Sequence, residues 1–305
     1  MERREITSQR RLHLRTFTYF LDLASHPRKK VLKVFANFAQ DEKEREYLKL
    51  LSSNTDEGKR EYLEFVSSKS RNMLDVLEHL KSVKVPIDHF LELMPRLQPR
   101  YYSIASSSQI HKDSVHVVVA VVRYTTELGR VKEGVASSYL ERITPGKKAF
   151  IYVRKSHFHL PKDTNLPVIM IGPGTGIAPF VGFLQQRQAL KQSGKNLGDA
   201  YLYFGCRRRN EDFIYEDQLT GSEKNGHISK LYTAFSREQD SKVYVQHLIR
   251  QNGTEIWAAL SKGGYVYICG DAKYMAKDVE ESLINIVREH GKKSLEDARD
   301  YIEKM

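Results

Sequence analysis

Leu166 to Gln185 reads LPVIMIGPGTGIAPFVGFLQ: an apolar run, a glycine-rich break, then a helix-like segment. The run Val168–Ile171 has the length and β-branching of a parallel strand buried on both faces. Gly172, Gly174 and Gly176 let the backbone turn sharply and approach a ligand with no side chain between. A helix N-terminus follows, whose free N–H groups and dipole favour a phosphate. The glycines depart from the dinucleotide fingerprint G-x-G-x-x-G, and no P-loop lysine follows them. On these residues alone, a nucleotide-phosphate site and a tight structural turn both stand.

Working outward, the pattern alternates. Helix Pro179–Gln192 precedes strand Ala200–Phe204; strand Ile228–Phe235 precedes a helix near Val243–Arg250; strand Tyr265–Cys269 precedes helix Ala272–Glu289. Such β–α alternation predicts a doubly wound parallel sheet with ligands at the C-terminal strand ends. The residues at those ends are Thr175, then Cys206 with Arg207–Arg209, then Ser236, Arg237, Lys242 and Tyr244, then Cys269, Gly270 and Asp271. An NAD site places a carboxylate on the ribose diol after the second strand. Arginines stand there instead, and a hydroxyl with further cations suits a ribose 2′-phosphate, favouring NADP over NAD. A solvated cationic edge is the alternative. Cys269 reads either as a small buried hydrophobe or as a contact for a nicotinamide ring.

Upstream the character differs. Residues 1–95 read as helical, with helices over Pro27–Phe38, Gly58–Leu80 (capped by Asp56) and Pro86–Met94. Residues 96–163 read as β-rich, with strands Ser114–Tyr124 and Lys147–Arg154, though the block is short for a closed barrel. Residues 164–305 form the alternating domain. Two motifs in the middle block carry chemistry. In RYYSIASS (Arg100–Ser107) an arginine can grip phosphate, an aromatic can stack on a planar ring and a serine can bond its edge. In EGVASSYL (Glu133–Leu140) Gly134 and two serines stand at a helix start, a second phosphate cradle. Together they make two bound nucleotides plausible.

The composition sets bounds. At 305 residues and 40% hydrophobic residues the chain has material for a folded core. No apolar run approaches the roughly 18–20 residues needed to span a bilayer. The basic start MERREITSQRRLHLR lacks the apolar centre of a secretory signal. The only cysteines are Cys206 and Cys269, too few for a disulfide framework or a cysteine-rich metal site, so no metal is expected and a cytoplasmic setting is. The net charge of +11 is spread along the chain without an aromatic-interleaved motif, which argues against nucleic acid. Phosphorylated cofactors, an acidic protein partner or a merely solvated basic surface account for it.

At these residues the chain resembles the ferredoxin–NADP reductase-like diflavin reductases. The matches are Arg100-Tyr101-Tyr102-Ser103, Gly134-Val135-Ala136-Ser137, Gly172-Pro173-Gly174-Thr175-Gly176, Ser236-Arg237, Lys242-Val243-Tyr244-Val245-Gln246 and Cys269-Gly270-Asp271, in the family's order. The resemblance implies an α/β multidomain chain: a helical connecting domain, a partial antiparallel FAD barrel and a doubly wound NADPH domain. It implies FAD and NADPH as cofactors, with FMN only on a separate module. Arg100 would hold the FAD pyrophosphate, Tyr102 would stack on the flavin and Ser103 would bond its ring, with Tyr101 in the same motif. Gly134, Val135, Ala136 and Ser137 would cradle FAD phosphates, with Tyr124 nearby. Gly174 and Thr175 would meet the NADP pyrophosphate; Ser236, Arg237, Lys242, Val243, Tyr244, Val245, Gln246 and Asp278 would line the remaining NADP contacts. Ser103 and Cys269 would flank the hydride path. The implied partners are an acidic flavodoxin-like FMN module and, through it, cytochrome P-450-type haemoproteins at the cytosolic face of the endoplasmic reticulum.

Relative to that family the sequence lacks a membrane anchor, an FMN module, early barrel strands and the terminal aromatic residue that covers the flavin. It therefore reads as truncated at both ends, and a non-catalytic NADP-binding fragment with impaired FAD binding is the competing expectation.

Overall fold

The computed structural model describes residues 8–305, so the first seven residues of the basic start lie outside the described residues. The chain divides into two compact units, one of Met1–Tyr101 with Val121–Lys147, the other of Tyr102–Ala120 with Lys148–Met305. Residues 96–163, read from sequence as one β-rich block, are thus shared between the two.

The first unit is helical. Helices Lys29–Ala36, Glu42–Ser52, Asp56–Tyr62, Met73–His79 and Ile87–Leu93 enclose a core that includes Leu32, Phe35, Leu48, Leu51, Val66 and Val76. The single helix expected over Gly58–Leu80 is broken. Thr55, not Asp56, caps it, accepting from the Gly58 N–H. It widens into a π-turn over Leu63–Ser68 and stops where Ser70 takes a left-handed φ of 51°. A new helix then starts on the Asn72–Asp75 capping box. One polar run, SSKSRN at residues 67–72, ends the apolar period that had suggested continuity.

The same unit carries a hairpin, β1 (Arg123–Thr125) against β2 (Val131–Glu133), and helix Val135–Arg142 follows directly. The strand expected over Ser114–Tyr124 shrinks to the three residues of β1 and one bridge, Ile104 to Val117, in the second unit. Lys147–Arg154 is not a strand, and Phe150, Ile151 and Val153 are exposed. β-branched residues favour extended backbone, but a strand exists only where a neighbour completes its ladder. Among the described residues none does so for this segment.

The second unit is built on four parallel strands in the order β5-β4-β3-β6: β3 is Val168–Ile171, β4 Ala200–Cys206, β5 Lys230–Phe235 and β6 Tyr265–Ile268. Val168 pairs with Ala200 on one side and Tyr265 on the other, and the register holds to Ile171. Alternate residues feed two cores. Val168, Met170, Leu202 and Phe204 pack with Phe180, Val181 and Leu184 of helix Ala178–Gln192. Ile169, Ile171, Tyr201 and Tyr203 pack with Ile249, Ile256, Leu283 and Ile286 from helices on the other face. Both faces being covered explains why β3 is apolar throughout rather than alternating. Among the described residues no helix is long and apolar enough to cross a membrane.

Leu202 is wholly buried in β4. Leu202→Ala should lower unfolding free energy by about 2–5 kcal/mol in a denaturant titration; a loss near zero would mean this face of the sheet is not packed.

Candidate nucleotide-binding site

The strand order reverses direction between β3 and β6, the place where an open parallel sheet leaves a crevice beyond its C-terminal edge. The glycine loop fills one side of it. A 3-10 turn, Gly174–Ile177, runs into helix Ala178–Gln192, and neither has a side-chain cap on its first N–H groups. Of these N–H groups, Gly176 donates to the Pro173 carbonyl, Ala178 to the Thr175 carbonyl and Pro179 has none, so those at the start of the turn, Gly174 and the exposed Thr175, are the ones placed for an anion. Gly176 abuts the other side of the crevice: a Cβ there would fall 2.1 Å from the Cys269 carbonyl oxygen. Only glycine permits this approach of loop to strand end.

Ser103 and Cys269 are neighbours at the same edge, near enough for the serine hydroxyl to favour the thiolate. Each is anchored independently. The Cys269 N–H donates to the Ile171 carbonyl at 3.0 Å, continuing the β3–β6 ladder. The Ser103 segment is held by the Ala105 N–H to the His116 carbonyl at 2.8 Å, and by the Ser107 N–H to Gln185 Oε1 at 2.8 Å. Gln185 lies on the helix that begins at the glycine loop, so loop and serine share one support. Burial pushes the Cys269 thiol up, against the lowering influence of the Ser103 hydroxyl. Cys206 is pushed up to about 11 by burial. Neither is a poised thiolate.

At the β4–β5 edge the ladder runs on: Ser236 N–H donates to the Cys206 carbonyl at 2.9 Å and Arg237 N–H to the Arg207 carbonyl at 3.0 Å. This brings five cations to one corner, but they are not alike. Arg207 grips Asp212 through two bonds of 2.9 Å, Arg208 pairs with Glu211 at 3.7 Å, and Arg209 pairs with Glu216 while lying over the Phe213 and Phe235 rings. Arg237 and Lys242 are exposed and have no carboxylate partner among the described residues. With Ser236 they form the uncompensated positive pair that suits a phosphate monoester. Val243 and Val245 pack into the core, so only their backbone can meet a ligand, whereas Tyr244 between them is exposed. Gln246 donates to Asp278 at 3.2 Å, and its Oε1 is buried with no partner. An orphaned buried acceptor beside these residues fits a site that a ligand completes.

The other candidates lie in the first unit. Tyr124 sits on β1 opposite Lys132, half exposed. The Gly134 N–H donates to the Val122 carbonyl at 2.8 Å, and the Ser137 hydroxyl accepts from the Val122 N–H at 3.1 Å. A Cβ on Gly134 would come within 2.5 Å of Ser137 Oγ and 2.8 Å of Val122 Cβ. Helix Val135–Arg142 has no side-chain cap, leaving the N–H groups of Val135 and Ala136 for an anion, and the nearby Ser138 Oγ is buried without a partner. These features fit a phosphate cradle. Arg100 is exposed, and its guanidinium donates to the Gln98 carbonyl at 2.6 Å. Arg100 and Tyr101 belong to the first unit, Tyr102 and Ser103 to the second.

Gln185, which fixes the Ser103 segment, was not among the sequence candidates. It sits 78 residues from its partner Ser107 inside an ordinary helical pattern. Its one signal was a polar residue on an otherwise buried helix.

These features define a doubly wound nucleotide-binding class of fold. Residues 5–139 match the model of an FAD binding domain, and residues 170–281 that of an oxidoreductase NAD-binding domain. The chain is 47% identical over 292 residues to the NADPH–cytochrome P450 reductase of Musca domestica and 46% identical over 294 residues to that of Homo sapiens, in each case over 94% of this chain and 43% of the relative. The Bos taurus reductase is 46% identical over 295 residues, 94% of this chain and 44% of its own. The chain is similar to these reductases over nearly its whole length and spans less than half of theirs.

In a Cys206→Ser background, alkylation of Cys269 should be slow at neutral pH and accelerate on the alkaline side. Ser103→Ala removes the hydroxyl that favours the thiolate, so the profile should move to higher pH. An unmoved profile would show that the hydroxyl does not reach the thiol.

Proposed function

We propose that this chain binds FAD and NADPH and acts as the reductase module of a flavoprotein electron carrier. When bound, FAD supplies acceptance of a hydride from NADPH and onward release of single electrons. The observation that carries the reading is the convergence, on one sheet edge, of the Ser103–Cys269 pair, the Gly172–Ile177 turn and the unpaired Arg237 and Lys242.

On this reading Gly174 and Thr175 hold the NADPH pyrophosphate by backbone donors. Ser236, Arg237, Lys242 and Tyr244 bind the 2′-phosphate end, with Gln246 and Asp278 behind them. Cys269 and Ser103 border the nicotinamide; a neutral thiol and a hydroxyl set its position and exclude water without competing for the hydride. Arg100 grips the FAD pyrophosphate, Tyr102 stacks on its ring system, and Gly134–Ser137 offer N–H groups to its phosphates, with Tyr124 alongside. Electrons then leave through an acidic, FMN-bearing flavodoxin-like module toward haemoproteins of the P450 type on the cytosolic side of a membrane. The net charge of +11 supports such a partner through electrostatic steering.

Ferricyanide reduction by NADPH, with FAD supplied, tests the proposal. Turnover is expected; NADP binding without turnover would overturn it. Arg237→Ala should raise KM for NADPH about 10- to 100-fold, the loss of one or two charge-assisted bonds, while leaving NADH unchanged. Equal losses for both cofactors would remove the 2′-phosphate assignment.

A further inference from the structure

The hairpin that carries Tyr124 and leads into Gly134 has little to hold it in place. Its strands have three residues each, and Tyr124 and Val131 are largely exposed. Two strands of this length are not stable alone. Behind its turn, Leu128 and Arg130 line a half-open, largely charged cleft of about 120 Å³ with Arg71, Asp75, Glu78 and His79, so apolar packing does not fix the turn either.

What does reach across is Asp75. It is 7% exposed, at the third position of helix Met73–His79. Its carboxylate accepts from the Asn72 N–H at 2.8 Å and from the side chains of Arg130 and Lys132. Arg130 also reaches Glu78 at 2.9 Å. Lys132 is the residue of β2 that opposes Tyr124, and β2 passes through Glu133 straight into Gly134. Beyond that point Arg123 binds Glu133 and Glu141 at 3.0 and 2.8 Å, and Arg142 binds Glu133 at 2.8 Å, which ties the hairpin to the following helix. Burial alone would raise the Asp75 pKa, but the bonds from Lys132, Asn72 and Arg130 outweigh it and hold the carboxyl below the usual range. The carboxylate therefore stays charged at neutral pH.

We propose that Asp75 is a positioning residue for FAD: by clamping Arg130 and Lys132 it fixes the β1–β2 hairpin, and with it Tyr124 and the Gly134–Ser137 cradle, against the helical body. The inference rests on the FAD reading above. It deepens that reading by assigning cofactor affinity to a residue that touches no cofactor and stands 55 and 57 residues from its partners.

Asp75→Asn keeps an oxygen for the Asn72 N–H but loses the charge. Asp75→Glu keeps both, since glutamate is the usual third residue of a capping box. Titrating each purified chain into FAD and following flavin fluorescence, Asp75→Asn should bind about tenfold more weakly, the loss of roughly one charge-assisted bond. Asp75→Glu should restore most of the affinity. Lys132→Met should weaken binding, and the double variant should lose less than the product of the two single losses. NADP affinity, measured by calorimetry, should be unchanged in all of them, and amide exchange at Gly134 should rise in Asp75→Asn. FAD affinity in Asp75→Asn equal to wild type overturns the inference alone. A wild-type chain that does not bind FAD overturns the cofactor reading and the inference with it. If Asp75→Asn fails to fold, undiminished affinity in Lys132→Met overturns the clamp.

Discussion

The pairing of β3 with a strand on either side is the interaction on which the rest of this structure depends. Four residues, Val168 to Ile171, share ladders with β4 and β6 and are completely buried. Because consecutive side chains point to opposite faces, these four residues hold two separate cores together. A shift of one residue would exchange those faces and unpack both cores at once. The register is thus fixed, and with it the height at which each strand ends.

That height matters because the chemistry sits on the ends. The glycine turn, the Ser103–Cys269 pair and the Ser236–Arg237 extension are all attached to strands whose lengths the cores have already set. No loop has to find its place unaided. The turn leans on Cys269, Cys269 bonds to Ile171, and the Ser103 segment is tied to the helix that the turn begins.

The parts that sequence made legible are those whose signals are local. A buried strand, a glycine break and a helix need only neighbouring residues to declare themselves, and the four parallel strands and their helices appear within a few residues of expectation. The strands expected over Ser114–Tyr124 and Lys147–Arg154 failed for the complementary reason: their apolar, β-branched residues state a preference, and pairing partners decide. The break after Ser68 was visible in principle, since Asn72 and Asp75 have capping-box spacing, but the apolar period on either side masked it. The Asp75–Arg130–Lys132 cluster and the Gln185–Ser107 bond were not legible. Their members are far apart in the chain and carry no periodicity, and only the folded backbone brings them together. Family resemblance, rather than spacing, named Ser103 and Cys269 as a pair.

The three arginines that end β4 look on paper like the strongest anion trap in the molecule, yet each already has a carboxylate counterpart. They act as masonry: Arg209 roofs two phenylalanine rings, and Arg207 locks the end of the short helix Arg209–Asp212 through Asp212. The working charge at this corner belongs to Arg237 and Lys242. Salt screens their field over a Debye length of about 8 Å at physiological ionic strength. A doubly charged group would be sensed only on arrival, so choice between two dinucleotides that differ by one phosphate would be made by contact and would survive rises in ionic strength that abolish long-range attraction.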